Sequence, residues 1–297
     1  MATVTRKLKW GRASGDDKLL AEMLKNGHEG LMDAIARIFT DILHGVCVVL
    51  ATWQVSRLVV LFKKGDATLP KNYRPIAIIP VLNKLFNGVL LARVKTKLED
   101  LQGPEQAGFR PDFSCSDVFH FLRMVREESH EWGLEVWTAS LDLEKAFDKI
   151  SHESVFYSLI DADVDPDIIR VLFELHREQE ADVQTDSTKS RTSCIKRGVR
   201  QGDPLSPVLF NNLTRIIFAE FTAKWKAKRF GVAVGEDLDK LTHVMFADDT
   251  TLVTTSKRAL VVMIADVHEA LARHGFNLNF DKCLVQTNRE NVHITDI

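Results

Sequence analysis

Between Leu241 and Ser256 the chain reads LTHVMFADDTTLVTTS, two apolar, β-prone runs on either side of the adjacent aspartates Asp248 and Asp249. No glycine or proline explains the break. The stretch therefore predicts a hairpin whose flanks bury alternate residues while the turn carries two carboxylates at its tip. Adjacent carboxylates repel and raise each other's pKa, so a purely structural turn gains little from having both. A divalent cation reverses that balance, because hard oxygen ligands are what Mg²⁺ takes from a protein. The plainer reading of this stretch alone is a polar hairpin turn, and the rest of the chain must decide between the two.

With 297 residues the chain can form one large or two small domains with an ample core. Its formal net charge of −2 supplies no global basic field, so any polyanion site must be local. Cys47, Cys115, Cys194 and Cys283 lack CxxC spacing and histidine partners. That pattern points to reduced thiols inside a cell and away from a zinc module or a disulfide framework. The start, MATVTRKLKWGRASGDDK, is basic without an apolar core, unlike a signal peptide. The most apolar window, 42–62, is interrupted by His44, Gln54, Ser56 and Arg57, short of the roughly 20 apolar residues of a membrane span. The expectation is a soluble intracellular protein without a membrane partner, its compartment unassigned.

Taken in order, residues 1–17 are expected to be disordered. Leu20 to Ile42 has helical spacing, divided by Gly27 and Gly30 into two helices. Leu58–Phe62 reads as a short buried strand, followed by a loop bearing Lys63, Lys64, Lys71 and Arg74. Such a loop can wrap a triphosphate with point charges and one bidentate fork, or be a solvated charge run. Residues 80–98 predict a helix, Glu105–Pro111 a loop, and Ser116 the cap of a helix to about Trp132. EVWTASLDL (135–143) alternates as a strand ending at Asp142, which alone would be an ordinary strand terminator. Helices follow from Ser151 and after Pro166, and 182–196 predicts a polar hairpin. In GVRQGDPLSP two glycines permit close backbone approach before prolines launch a helix over about 205–228. That helix has a basic tail around Trp225, either a nucleic-acid contact or a solvated end with one anchoring ring. Residues 257–274 predict an amphipathic helix, and Phe276, Leu278 and Phe280 alternate as a last strand. No repeat or linker appears, so one interwoven domain is expected.

The order of KKGDATLPKNYRPIAIIP, EQAGFRP, SLDLEKAFDKISHES, GVRQGDPLSPVLFN, FADD and GFNLNFDK resembles the reverse transcriptase domain of non-LTR (LINE-type) retrotransposons, over about residues 18–286. RQGDPLSP is closer to that branch than to group II intron enzymes, where PQGG is usual. The resemblance implies a mixed α/β (α+β) right-hand polymerase fold with an antiparallel palm sheet backed by helices. Its fingers would cover about 18–134 and part of 160–200, the palm would be the remainder, and the thumb is expected to be absent.

The implied activity is RNA-directed DNA polymerisation, a nucleotidyl transfer from dNTPs onto a DNA primer along an RNA template. Asp142 corresponds to the first metal-binding aspartate, and Asp248 and Asp249 to the catalytic pair, together holding two Mg²⁺ ions, with Mn²⁺ an alternative. Phe147 matches the sugar gate that collides with a 2′-hydroxyl; without the resemblance a core aromatic is the better reading. Gln201 matches the residue beside the incoming nucleotide, Lys64 and Arg74 those gripping its triphosphate, and Lys282 the lysine that protonates leaving pyrophosphate. An ordinary surface lysine is the plainer alternative for Lys282.

The departures are specific. The family's YADD is FADD here, a proline before Trp53 is missing, and the primer grip, thumb and any upstream endonuclease are not expected in the chain. The alternative function is a non-catalytic or co-opted remnant that keeps the fold and RNA binding. An RNA-dependent RNA polymerase is disfavoured by Phe147.

Overall fold

The computed structural model describes residues 1–185, 188–233 and 240–288. Two compact units divide the chain, residues 1–98 with 155–209 and residues 99–154 with 210–297. Each is built from two separate stretches of the chain, where one interwoven domain was expected. In chain order the elements run α1 (Ala2–Lys7), α2 (Ala21–Lys25), α3 (Glu29–Leu43), α4 (Ala51–Gln54), β1 (Val55–Phe62), β2 (Tyr73–Ile78), α5 (Val81–Asp100), α6 (Cys115–Glu131), β3 (Trp137–Leu141) and α7 (Ala146–Lys149). They continue with α8 (His152–Asp161), α9 (Pro166–Arg177), β4 (Glu180–Gln184), β5 (Ser193–Cys194), α10 (Ser206–Ala227), β6 (His243–Phe246), β7 (Asp249–Thr254), α11 (Lys257–Arg273) and β8 (Leu284–Thr287).

The first unit holds a sheet of order β2-β1-β4-β5. β1 pairs antiparallel with β2 and parallel with β4. Strand β2 occupies residues that the sequence reading treated as a basic loop. Its charges concealed it, and Pro75, which lacks a ladder donor, faces Val60 on an edge strand, where that loss is tolerated. The core beside the sheet is aromatic: Trp53 and Phe86 are fully buried, with Phe39 4.8 Å from Phe86 and Trp53 5.3 Å from it, centroid to centroid. Helix α9 buries Ile168, Val171, Leu172 and Leu175 on one face and starts at Pro166, with the Asp165 carboxylate accepting from the Asp167 amide at 2.8 Å.

The second unit holds a wholly antiparallel sheet of order β6-β7-β3-β8, backed by α11. Trp137, Ala139 and Leu141 of β3 alternate inward, and α11 buries Leu260, Met263, Val267 and Leu271. Trp225 is fully buried and donates its indole N–H to Asp266 at 2.8 Å, so the basic tail of α10 is ring-anchored, the plainer of its two readings.

Several boundaries differ from expectation. Residues 1–17, expected to be disordered, contain α1, whose Thr5 is buried and whose Val4 lies where a Cβ on Gly88 would meet it at 2.6 Å. The stretch 99–134, expected with the fingers, belongs to the second unit. There Val125 of α6 packs with Val136, Val232 and Val253. The cap of α6 is Ser114, in a reciprocal pair with Asp117, rather than Ser116. The alternation of Phe276, Leu278 and Phe280 makes only one bridge, Leu278 to Leu143, before the chain turns at Asn279–Lys282; the last strand is β8. Among the described residues no helix is long and apolar enough to cross a membrane.

The aromatic triad sets a stability test. Phe86→Ala removes a ring that is 1% exposed and should cost about 3–5 kcal/mol in chemical unfolding. A loss below about 1 kcal/mol would mean the site collapses around the gap.

Candidate active site

The aspartate hairpin closes through Phe246↔Asp249, and its turn places Ala247 at φ +61, a left-handed conformation that costs a β-carbon-bearing residue free energy. Gln106 holds it there. The Gln106 Nε2 donates to the Ala247 carbonyl at 3.1 Å, while Oε1 accepts from the amides of Ala247 at 2.9 Å and Gly108 at 2.8 Å. Backbone bonds flank this clamp: Ala107 N donates to Met245 O at 2.8 Å, and Met245 N to Glu105 O at 2.7 Å. A Cβ on Gly108 would lie 2.0 Å from the Ala247 nitrogen, so only glycine lets the two backbones approach. Asn211 and Arg110 hold the same loop, Asn211 donating to Gly108 O at 2.8 Å and Arg110 to Gly103 O and Gln106 O at 2.6 and 2.9 Å. The sequence reading took Glu105–Pro111 as a loop only and missed this role. A glutamine two residues before a glycine was the available signal, and it is too common to have been decisive.

Strand β3 delivers the third carboxylate. It pairs with β7 up to Leu141↔Thr250, so Asp142 leaves the sheet at the end where the hairpin turn carries Asp248 and Asp249. Asp142 and Asp248 are half-buried and Asp249 is exposed. The Asp142 carbonyl accepts from Asn279 N at 2.8 Å, and its carboxylate accepts from Lys282 Nζ at 3.0 Å. Burial holds the Asp249 carboxyl above the ordinary range, the charges of Asp248 and Asp142 push it the same way, and Lys282 opposes them. Among the described residues no three His, Cys, Asp or Glu side chains form a ready-made ion cage. As a donor set, however, three mutually repelling carboxylates are hard oxygen ligands of the kind Mg²⁺ takes.

Phe147 follows Lys145, itself left-handed at φ +48, on the short helix α7. It is half-buried. One face stacks on Phe210 at 5.0 Å and 11°, and Phe109 meets the ring edge-on at 5.9 Å. The ring is thus partly built into an aromatic cluster and partly open to solvent.

Lys64, Arg74 and Gln201 belong to the first unit. Lys64 follows β1, Arg74 lies opposite Leu61 on β2, and both are exposed. The Gln201 carbonyl accepts from Ala77 N of β2 at 2.8 Å, so the three come from one hairpin and the loop bonded to it. That loop is fixed from beneath. Arg200 is buried and donates to the carbonyls of Trp53 and Gln54 at 2.9 and 2.5 Å. Buried Asp203 accepts from Asn87 at 2.6 Å and from Leu205 N at 2.9 Å. Burial lowers the Arg200 pKa to about 10, with Asp203 opposing, and raises that of Asp203.

Residues 62–295 match the family model described as reverse transcriptase (RNA-dependent DNA polymerase). The chain is 30% identical over 234 residues to the Pol polyprotein of the type-2 retrotransposable element R2DM of Drosophila melanogaster, covering 77% of this chain and 21% of the relative. It is 26% identical over 257 residues to the RNA-directed DNA polymerase from mobile element jockey of the same species, covering 86% and 27%. The chain thus spans between a fifth and a third of the length of these relatives. Among solved structures, apo telomerase from Candida tropicalis truncated from its C-terminal domain shares the fold at TM-score 0.61 and 13% identity, over 98% of this chain and 61% of that one. The same organism's telomerase with a fragment of telomeric RNA gives TM-score 0.60 at 13% identity, over 88% and 45%.

Two outcomes follow from this geometry. Gln106→Ala should raise hydrogen exchange of peptides spanning residues 245–249 by about tenfold or more, the loss of one to two buried hydrogen bonds; unchanged exchange would remove the clamp. The raised Asp249 pKa means that the unfolded chain releases this proton first, so stability falls as pH rises through the unfolded and then the folded pKa. Asp249→Asn should therefore stabilise the fold at pH 7, by less than about 1 kcal/mol given the group's exposure, and not below roughly pH 3.5. A gain in melting temperature that persists in acid would assign it to packing instead of charge.

Proposed function

We propose, since this chain belongs to the reverse transcriptase (RNA-dependent DNA polymerase) family, that it extends a DNA primer along an RNA template by in-line transfer of nucleotidyl groups from dNTPs, as one part of a retrotransposon polyprotein. The observation that carries this reading is the convergence of Asp142, Asp248 and Asp249 on one sheet end. Asp142, Asp248 and Asp249 would hold Mg²⁺, or Mn²⁺. When bound, such ions activate the primer 3′-hydroxyl and neutralise charge on the triphosphate and the leaving pyrophosphate.

The remaining roles fall to the chain's own residues. Lys282 keeps an ammonium 3.0 Å from Asp142 and donates a proton to the departing pyrophosphate oxygen. Phe147, braced by Phe210 and Phe109, stands under the sugar and excludes a 2′-hydroxyl by collision. Lys64 and Arg74 grip the triphosphate, Lys64 as a point charge and Arg74 as a fork. Gln201, fixed through its backbone to Ala77, lies beside the incoming nucleotide. Positioning and charge stabilisation supply most of the barrier reduction in such transfers, which is why rigid backbone clamps matter here.

Primer extension on oligo(dT)/poly(rA) with Mg²⁺ tests the reading. Asp248→Ala should reduce extension by on the order of 10³-fold with its circular dichroism unchanged. Equal activity would overturn the assignment, and a folded, inactive wild-type chain that still binds RNA would favour the remnant function. Phe147→Ala should lower discrimination against ribonucleotides at least about tenfold; unchanged discrimination would take Phe147 out of the gate. As a readout apart from activity, Mg²⁺ should raise the melting temperature of the wild type and not that of Asp142→Ala.

A further inference from the structure

The first unit carries an open cavity of about 630 Å³ between α1 with the segment after it, strand β2, helix α5 and the Gly202–Pro204 turn. Its volume lies within the roughly 300–1,000 Å³ of small-molecule sites. Five basic side chains line it, Lys7, Lys9, Arg12, Lys84 and Lys95, and no carboxylate does. None of the five makes an ion pair or hydrogen bond among the described residues. Between the cations the wall is apolar, with Ile76, Ile79, Val81 and Leu91. Gly202 and Ala77 also line it, next to the hydrogen bond that fixes Gln201.

This is an unusual way to build a wall in a chain whose net charge is −2. Lys84 is half-buried; burial holds its pKa below the ordinary lysine value, Asp203 opposes, and Arg12 and Lys9 push it further down. Lys7, Lys9, Arg12 and Lys95 are exposed, and like charges gathered around one partly buried lysine cost free energy that an anion in their midst would recover. A single carboxylate would neutralise one of five cations, whereas a triphosphate presents up to about four negative charges on oxygens that lysines meet as point charges and arginine as a fork.

We propose that this cavity binds a nucleoside triphosphate, its phosphates among Lys7, Lys9, Arg12, Lys84 and Lys95 and its base against the apolar wall of Ile76, Ile79 and Leu91. Lys64 and Arg74 do not line the cavity, so this seat is separate from the nucleotide grip proposed for polymerisation and stands or falls independently of it.

The test is calorimetric titration of the full chain with ATP in the presence of EDTA. The wild type should bind ATP, inorganic triphosphate should compete, and adenosine should bind at least about tenfold more weakly. Lys9 and Arg12 are exposed, so the Lys9→Glu/Arg12→Glu double variant should fold. It should weaken ATP at least about tenfold, whereas Lys64→Ala/Arg74→Ala should leave this binding within about twofold. No heat with millimolar ATP, or binding lost in the Lys64/Arg74 variant and kept in the Lys9/Arg12 variant, would overturn the proposal. So would a short single-stranded RNA that needs Lys9 and Arg12 when ATP does not, because the occupant would then be a strand.

Discussion

Repulsion among three carboxylates is the constraint around which the second unit is arranged. Left to themselves, Asp142, Asp248 and Asp249 repel one another; partial burial raises the Asp249 pKa, and the charges of Asp248 and Asp142 push it the same way. Two strands bonded in register fix the distance, and one glutamine fixes the turn. The turn also needs Ala247 in a conformation it does not favour, so the polar side chain that holds it has no freedom to be elsewhere. Lys282 supplies the counter-charge on one side only. Such an end of a sheet is preorganised for positive charge and pays for it in fold stability, the usual direction of trade at functional sites.

Much of this was legible in the residues. The hairpin at 243–254, β3 ending before Asp142, and helices α3, α5, α9, α10 and α11 all follow from periodicity and from the prolines that open two of them. Those signals are local, and a chain's local preferences survive folding when burial agrees with them. What stayed hidden depended on partners distant in sequence. Gln106 matters because of Ala247, which lies 141 residues away. Strand β2 exists because β1 accepts a proline-bearing neighbour at an edge. The early helix α1 packs where Gly88 leaves room for Val4. Phe276 and Leu278 kept the alternation expected of a strand, yet only one of them found a bridge.

Site residues followed the same division. Asp142, Asp248 and Asp249 stood out as candidates by spacing and chemistry, Asp142 only beside the other two. Lys64, Arg74 and Gln201 did so only through the order of the motifs around them, since a charged hairpin tip or a glycine loop has many ordinary explanations. The buried Arg200–Asp203–Asn87 contacts lie under that loop and were not foreseen at all. Charged residues next to prolines and glycines give no sequence cue that they will point inward.

The central place of β3 has a consequence for how the chain reaches this structure. Trp137 pairs with Thr254 on one side and with Thr287 on the other, so neither ladder can close until more than a hundred residues have followed it. Contacts of such separation form slowly, because loop entropy must be spent before any pairing returns it. During synthesis β3 therefore emerges with both edges unpaired, an apolar strand of the kind that invites intermolecular pairing. The hairpin that carries two of the aspartates is also what first covers it, so the acidic turn and the protection of the nascent sheet arrive together.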